Sequence, residues 1–231
     1  MIDFLDSSTV WGAAATLGVF ALGTFLHKKT KAAWCNPLLL GSIFMILFLR
    51  MMKIPYPDYK ESTSVLTYLL FPATVSLAIP LYEQWAFLRK NIPAILAGIA
   101  SGVVTSLGSN LLLAWVFQLD AVSAVSLLPK SVTTAIGVDI AAEFGGMIAL
   151  TTAVIVLTGM IGNLLAVSLC RFLHITNPIA KGIAIGASSH AIGTSKALEI
   201  GEIEGAMSSL SIAVAGILTA MLCPFAVRLL P

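Results

Sequence analysis

Residues 147–170 read MIALTTAVIVLTGMIGNLLAVSLC, twenty-four positions without one acidic or basic side chain. Crossing a hydrocarbon core of about 30 Å takes about 20 apolar residues in a helix. This stretch is therefore expected to span a bilayer as a single helix. The rest of the chain agrees with it. Of 231 residues, 58% are hydrophobic and 10% charged, with a mean hydropathy of +0.97. Soluble domains carry about a quarter charged residues, so too little polar surface remains here to cover a water-facing globule.

Working outward, residues 10–26, 34–49, 65–82, 92–117 and 206–229 form further apolar runs. Pro72 interrupts the third of these. Residues 122–146 are more polar, holding Pro129, Lys130, Asp139 and Glu143, and residues 179–198 are short, rich in glycine and carry His190 and Lys196. The expected fold is all-α: a polytopic transmembrane helix bundle of about seven to eight membrane segments, some broken or re-entrant, forming one domain over residues 1–231. No repeat is evident, although Pro72, Pro129 and the 182–193 run are candidate interruptions of the kind that mark hidden inverted repeats.

Positive charge sets orientation in membrane proteins. With the N-terminus outside and residues 122–146 re-entrant, eight cations fall inside: Lys28, Lys29, Lys31, Arg89, Lys90, Arg171, Lys181 and Arg228. Only Arg50, Lys53 and Lys60 fall outside, so the expected topology is N-terminus out, C-terminus cytoplasmic. The start, Met1-Ile2-Asp3-Phe4-Leu5-Asp6, is acidic where a signal peptide is basic, and the first apolar run is expected to be retained. A net charge of +2 gives no reason to expect a nucleic-acid partner. Cys35, Cys170 and Cys223 lack metal-ligand spacing and read as packing residues.

Chemistry is expected at two stretches. In Pro129-Lys130-Ser131-Val132-Thr133-Thr134, proline suits the first position of a restarting helix. Its unpaired N–H groups, the hydroxyls of Ser131, Thr133 and Thr134, and the Lys130 charge suit an anion. A lysine at mid-bilayer costs about 2.5–3.5 kcal/mol on insertion scales, which demands a partner, water or a function. In the second stretch Gly182, Gly186, His190 and Thr194 recur every four residues, a ridge that permits close helix approach. Gly193 is the expected helix break, freeing backbone at Thr194, Ser195 and Lys196, with His190 as a proton-coupling group. A second ridge, Ala94, Gly98, Gly102, Ser106 and Asn110, reads as a packing seam. Glu199, Glu202 and Glu204 suit a helix N-terminus or a pair with Lys196. Ser189-His190 lacks any nucleophile-elbow pattern, and neither a phosphate loop nor metal spacing is present, so no enzyme activity, metal or cofactor is expected.

Four ordered motifs carry a resemblance. They are Leu69 to Tyr82 (LLFPATVSLAIPLY), Pro129 to Thr134 (PKSVTT), His190 to Ala197 (HAIGTSKA) and Gly201 to Ser209 (GEIEGAMSS). Together they resemble the LrgB family, which includes antiholin-like and CidB proteins and the C-terminal part of the plastid glycolate/glycerate translocator. The resemblance implies either transport of small monocarboxylates or hydroxycarboxylates (pyruvate, glycolate, glycerate) or control of murein hydrolases and lysis. It further implies a bacterial inner-membrane protein with a small LrgA-type, holin-like membrane partner. A carrier of this kind is expected to work by alternating access as a homodimer or larger oligomer in the lipid bilayer.

Overall fold

The computed structural model describes residues 10–30 and 37–230. The expected features at the chain start, Lys31, Cys35 and the beginning of the second apolar run lie outside these residues. Among the described residues every regular element is a helix. Three helical stretches are long and apolar enough to cross a membrane: Arg89–Val116, Ile148–Phe172 and Glu202–Val227. This is a helical membrane protein.

Contacts divide the chain into two compact units, Met1–Ser76 and Leu77–Pro231. The first holds α1 (Trp11–Thr30), α2 (Pro37–Met52), α3 (Tyr56–Ser62) and α4 (Ser64–Ser76). Gly23 lets α1 approach α2, since a Cβ there would stand 3.1 Å from the Pro37 carbonyl oxygen. Thr16 and Tyr59 share a hydroxyl contact of 2.9 Å, and the Trp11 and Tyr59 rings lie 6.1 Å apart. Pro72 was the expected interruption, but α4 runs through it and ends at Ser76. A single proline can remain in a membrane helix where local adjustments satisfy the freed carbonyl.

The second unit contains α5 (Ala78–Glu83), α6 (Trp85–Val116), α7 (Ala121–Leu127), α8 (Thr134–Glu143), α9 (Ile148–Phe172), α10 (Pro178–Ile200) and α11 (Glu202–Val227). Large apolar side chains such as Leu112, Leu157, Ile161, Ile217, Met221 and Phe225 are exposed on the long helices, while Thr151, Asn163, Thr194, Ser208 and Ser211 are buried. Outward apolar and inward polar placement is what a lipid solvent selects.

Helices α7 and α8 are too short to cross anything. Asp120 caps α7, accepting from Ser123 N at 3.0 Å, and bonds from Ser123 hold its carboxyl below the usual carboxylate range. The chain then turns over residues 128–133 and folds back. A Cβ at Gly146 would meet both Ser126 and Ala141, one residue from each leg, at 3.1 and 3.2 Å. The expected helix start at Pro129 is corrected. Pro129 is buried within the turn, and α8 starts at Thr134 with Thr133 as its N-cap.

Helix α10 is a second hairpin. His190 has φ 41° and ψ −141°, which breaks it into legs 178–189 and 191–200. The legs run antiparallel. On the first, Gly182 faces Glu204 and Met207 of α11, and Gly186 faces Ser208 and Ser211. On the second, Leu198 faces Gly205 while Thr194 bonds Ser208 at 2.7 Å. The expected break at Gly193 is corrected: it falls at His190. Gly193 instead removes a side chain where the legs meet, since its Cβ would stand 3.2 Å from the Ile185 carbonyl oxygen. Residues 179–198 therefore fold back rather than span.

The hairpins enter from opposite ends of α9. Ser126 of the first bonds Met147 N and Thr151 at the α9 start, at 2.7 and 3.0 Å. At the other end, Cys170 and Arg171 share a cavity with Lys181 and Ile200 at the base of the second hairpin. The C-terminal end of α11 joins the first group, with Trp115 Nε1 donating to the Leu229 carbonyl at 3.0 Å. Lys181 and Arg228, expected on one side of the membrane, consequently lie at opposite ends of this unit.

Candidate functional site

The two hairpin tips lie at mid-depth. Asn110 Nδ2 donates to the Leu127 and Leu128 carbonyls at 3.2 and 3.3 Å. One turn nearer the α6 start, Ser106 meets both Lys130 and Ser131. Ser106 lies ten residues before Val116, which places the tip about 15 Å from the helix end, half the thickness of a hydrocarbon core. His190 packs on Gly159 of α9, eleven residues from Ile148 and so about 16 Å in.

A cavity of about 820 Å³ connects these levels. It runs along α6 from Asn91 to Ser106, with Lys130 and Ser131 at its inner end, Thr158 of α9 beside them, and the first leg of α10 from Asn177 to Ser188 opposite. Its size falls within the range of small-molecule sites. The Ala94, Gly98, Gly102 and Ser106 row, expected as a packing seam, forms a wall of the cavity. Gly98 and Gly102 also hold contact with α10, because their Cβ positions would lie 3.4 Å from Ile183 and 3.3 Å from Ala187. Spacing revealed the small-residue face. It gave no sign of the space beside it.

Lys130 Nζ donates to Ser106 Oγ at 3.1 Å, and that oxygen shares a hydrogen bond of 2.8 Å with Ser131 Oγ. Among the described residues the ion pairs are Lys181–Glu204 and Lys196–Glu199, so Lys130 has no carboxylate at pairing distance. A cation in a largely apolar cavity, answered only by hydroxyls, leaves its full charge available to an anion.

The other expected site residues are placed differently. Thr133 and Thr134 start α8 just beyond the cavity-lining turn. His190 is buried beside the cavity; its Nε2–H donates to the Ile155 carbonyl at 3.0 Å, which assigns the proton to Nε2. Thr194 donates to the His190 carbonyl at 3.0 Å and pairs with Ser208. Asn163 Nδ2 donates to the Ile192 carbonyl and Ser195 Oγ at 2.8 and 3.2 Å. Lys196 pairs with Glu199 at 2.7 Å near the surface. Thus Lys130 and Ser131 share the cavity with Ala187 and Ser188 of the second hairpin, whereas Gly193 lets its legs approach, Thr194 and Ser195 tie its second leg to α11 and α9, and Lys196 pairs within that leg. Cys170 and Cys223 are buried thiols, as packing residues should be.

A model of the LrgB-like family matches residues 16–229. The chain belongs to the LrgB family. This LrgB-family chain is 35% identical over 224 residues to the antiholin-like protein LrgB of Bacillus subtilis, covering 96% of the chain and 97% of that protein. It is 35% identical over 214 residues to the Bacillus subtilis protein YxaC, covering 93% of each, and 34% identical over 200 residues to YwbG of the same organism, covering 87% and 89%. No solved structure matches it.

Proposed function

We propose that this chain carries small monocarboxylates and hydroxycarboxylates, of the pyruvate, glycolate and glycerate class, across the bacterial inner membrane by alternating access. The observation that carries this reading is Lys130 at the inner end of the cavity, bonded to Ser106 and without a carboxylate partner among the described residues. A half-buried cation lacking a counter-charge is costly within a bilayer, and an incoming carboxylate offsets that cost. Ser131, Thr158 and Ser188 offer hydroxyls to the ligand's oxygens, and Ala184 and Ala187 accommodate a short carbon chain.

Two hairpins entering from opposite ends and lining one cavity support alternating access, because each tip can seal one side while the other opens. His190 acts as a positioning residue, fixing the second tip against α9. A small LrgA-type membrane partner and a homodimeric or larger assembly belong to the same proposal.

A second reading is regulation of murein hydrolases and lysis, which the name of the antiholin-like relative favours. Uptake of radiolabelled pyruvate or glycolate into liposomes holding the purified chain, with and without its LrgA-type partner, separates the two. Saturable uptake that disappears in Lys130→Met supports the carrier. No uptake in either reconstitution, with folded protein, favours the regulator.

A further inference from the structure

A second cavity, of about 400 Å³, lies at the base of the second hairpin, lined among others by Val167, Cys170, Arg171, His174, Lys181 and Ile200. We propose that it binds the phosphate group of an anionic amphiphile, with the hairpin legs closing around it. Lys181 stands on the first leg and Ile200 on the second, so a ligand here touches both. Three basic side chains converge on it. The one carboxylate paired with them among the described residues is Glu204, a loose 4.0 Å from Lys181, so positive charge is left over.

Arg171 occupies the last turn of α9, where the helix's carbonyl end also favours cations. Its planar guanidinium suits two phosphate oxygens at once. His174 holds φ 54° immediately after that helix, a conformation in which glycine is the usual residue. The remainder of the lining is apolar, including Val167, Ile175 and Ile200, and the exposed Leu169 and Phe172 adjoin it. A charged rim over an apolar half, where α9 leaves the hydrocarbon, matches a phosphate joined to glycerol and acyl chains.

The test reconstitutes the protein in phosphatidylcholine vesicles, with and without phosphatidylglycerol, and in phosphatidylcholine with added glycerol phosphate. It reads the thermal unfolding midpoint, and bound lipid by native mass spectrometry. Phosphatidylglycerol should raise the midpoint, and R171Q and K181Q should each weaken its binding about fivefold, equivalent to about 1 kcal/mol per cation. Taking the difference between lipids within each variant cancels any change in intrinsic stability, and R171Q leaves the Lys181–Glu204 pair in place. If only the lipid gives the increment, its headgroup is the ligand and the proposal stands; an equal increment from glycerol phosphate makes the ligand a soluble phosphate and overturns the amphiphile. An increment absent from both, or one surviving in the R171Q/K181Q double variant, overturns it. Carboxylate uptake by R171Q is scored separately, so failure here is distinguishable from failure of the transport reading.

Discussion

Lys130 of the first hairpin turn donates to Ser106 of α6 at 3.1 Å, and both line the cavity that the second hairpin closes from the opposite side. This juxtaposition sets function against stability. Lys130→Met removes a charge that costs about 2.5–3.5 kcal/mol at mid-bilayer, so the variant is expected to unfold at higher temperature than the parent. It also removes a charge-assisted bond to substrate worth about 1.5–3 kcal/mol, lowering uptake efficiency by at least about tenfold. Scanning fluorimetry with liposome uptake checks both; lower stability together with unchanged uptake contradicts the assignment.

Gly159 is the floor on which His190 rests. A Cβ there would stand 2.7 Å from His190 Cε1 and 2.9 Å from Ile192 Cδ1. Gly159→Ala should destabilise the protein by about 1–3 kcal/mol through overpacking. Combining it with His190→Ala should recover part of that loss. Denaturant unfolding of the two single variants and the double variant measures the coupling, and strictly additive effects would show that the ring and the glycine do not press on each other.

Each hairpin has an asparagine on a neighbouring long helix that donates to backbone carbonyls beside its turn. Asn110 serves Leu127 and Leu128, and Asn163 serves Ile192. Lys130 N and Ser195 Oγ still donate to the Leu127 and Ile192 carbonyls, so Asn110→Ala and Asn163→Ala should each lose stability by the net worth of a hydrogen bond, about 0.5–1.5 kcal/mol. An exposed-face control, Ser101→Ala, should change little. Equal melting temperatures for all three would deny the asparagines this role.

The long helices were legible because lipid leaves the sequence little choice: residues 147–170 and 206–229 match α9 and α11 to within four residues, and 92–117 matches α6 except that the helix begins seven residues earlier, at Trp85. The reversal at His190 was hidden for the opposite reason. Local preference points to Gly193 as the breaker, but the chain bends where Gly159, Gly162 and Gly193 together make room for two legs on α9, and such room is a property of three separated segments. Thr194, Ser195 and Lys196, expected as substrate-binding residues, bond Ser208 of α11, Asn163 of α9 and Glu199 of the same leg, and none of them lines the cavity. The Ala94 to Ser106 row looked like a seam because small residues at four-residue spacing serve a close helix contact and a cavity wall equally well.

Sidedness follows from the hairpins. Asp120 and Arg228 belong to one end of the second unit and Thr176 to the other. Arg89, Lys90, Arg171 and Lys181 gather at the Thr176 end, which the positive-inside tendency predicts to be cytoplasmic, so that the C-terminus, expected in the cytoplasm from the charge count, is predicted on the opposite side. Cysteines introduced at Asp120 and Arg228 should react with an impermeant maleimide added to whole cells, and one at Thr176 only after permeabilisation. Labelling of Thr176→Cys and Arg228→Cys from the same side would mean that α10 spans after all.

The cavity can be closed by chemistry as well as by motion. The Cβ position of Gly102 on α6 lies 3.3 Å from Ala187 Cβ on the first leg of α10, close to the 3.5–4.5 Å between Cβ atoms joined by a disulfide. A Gly102→Cys, Ala187→Cys pair should therefore crosslink under mild oxidant, while Cys170 and Cys223 stay protected by burial. If transport requires the second hairpin to move along α6, the crosslink should abolish uptake and a reductant should restore it. Each single cysteine variant should keep most of its activity under the same oxidant. A fully formed crosslink that leaves uptake intact would mean that this wall is rigid throughout the cycle, and that access alternates through the Lys130 hairpin alone.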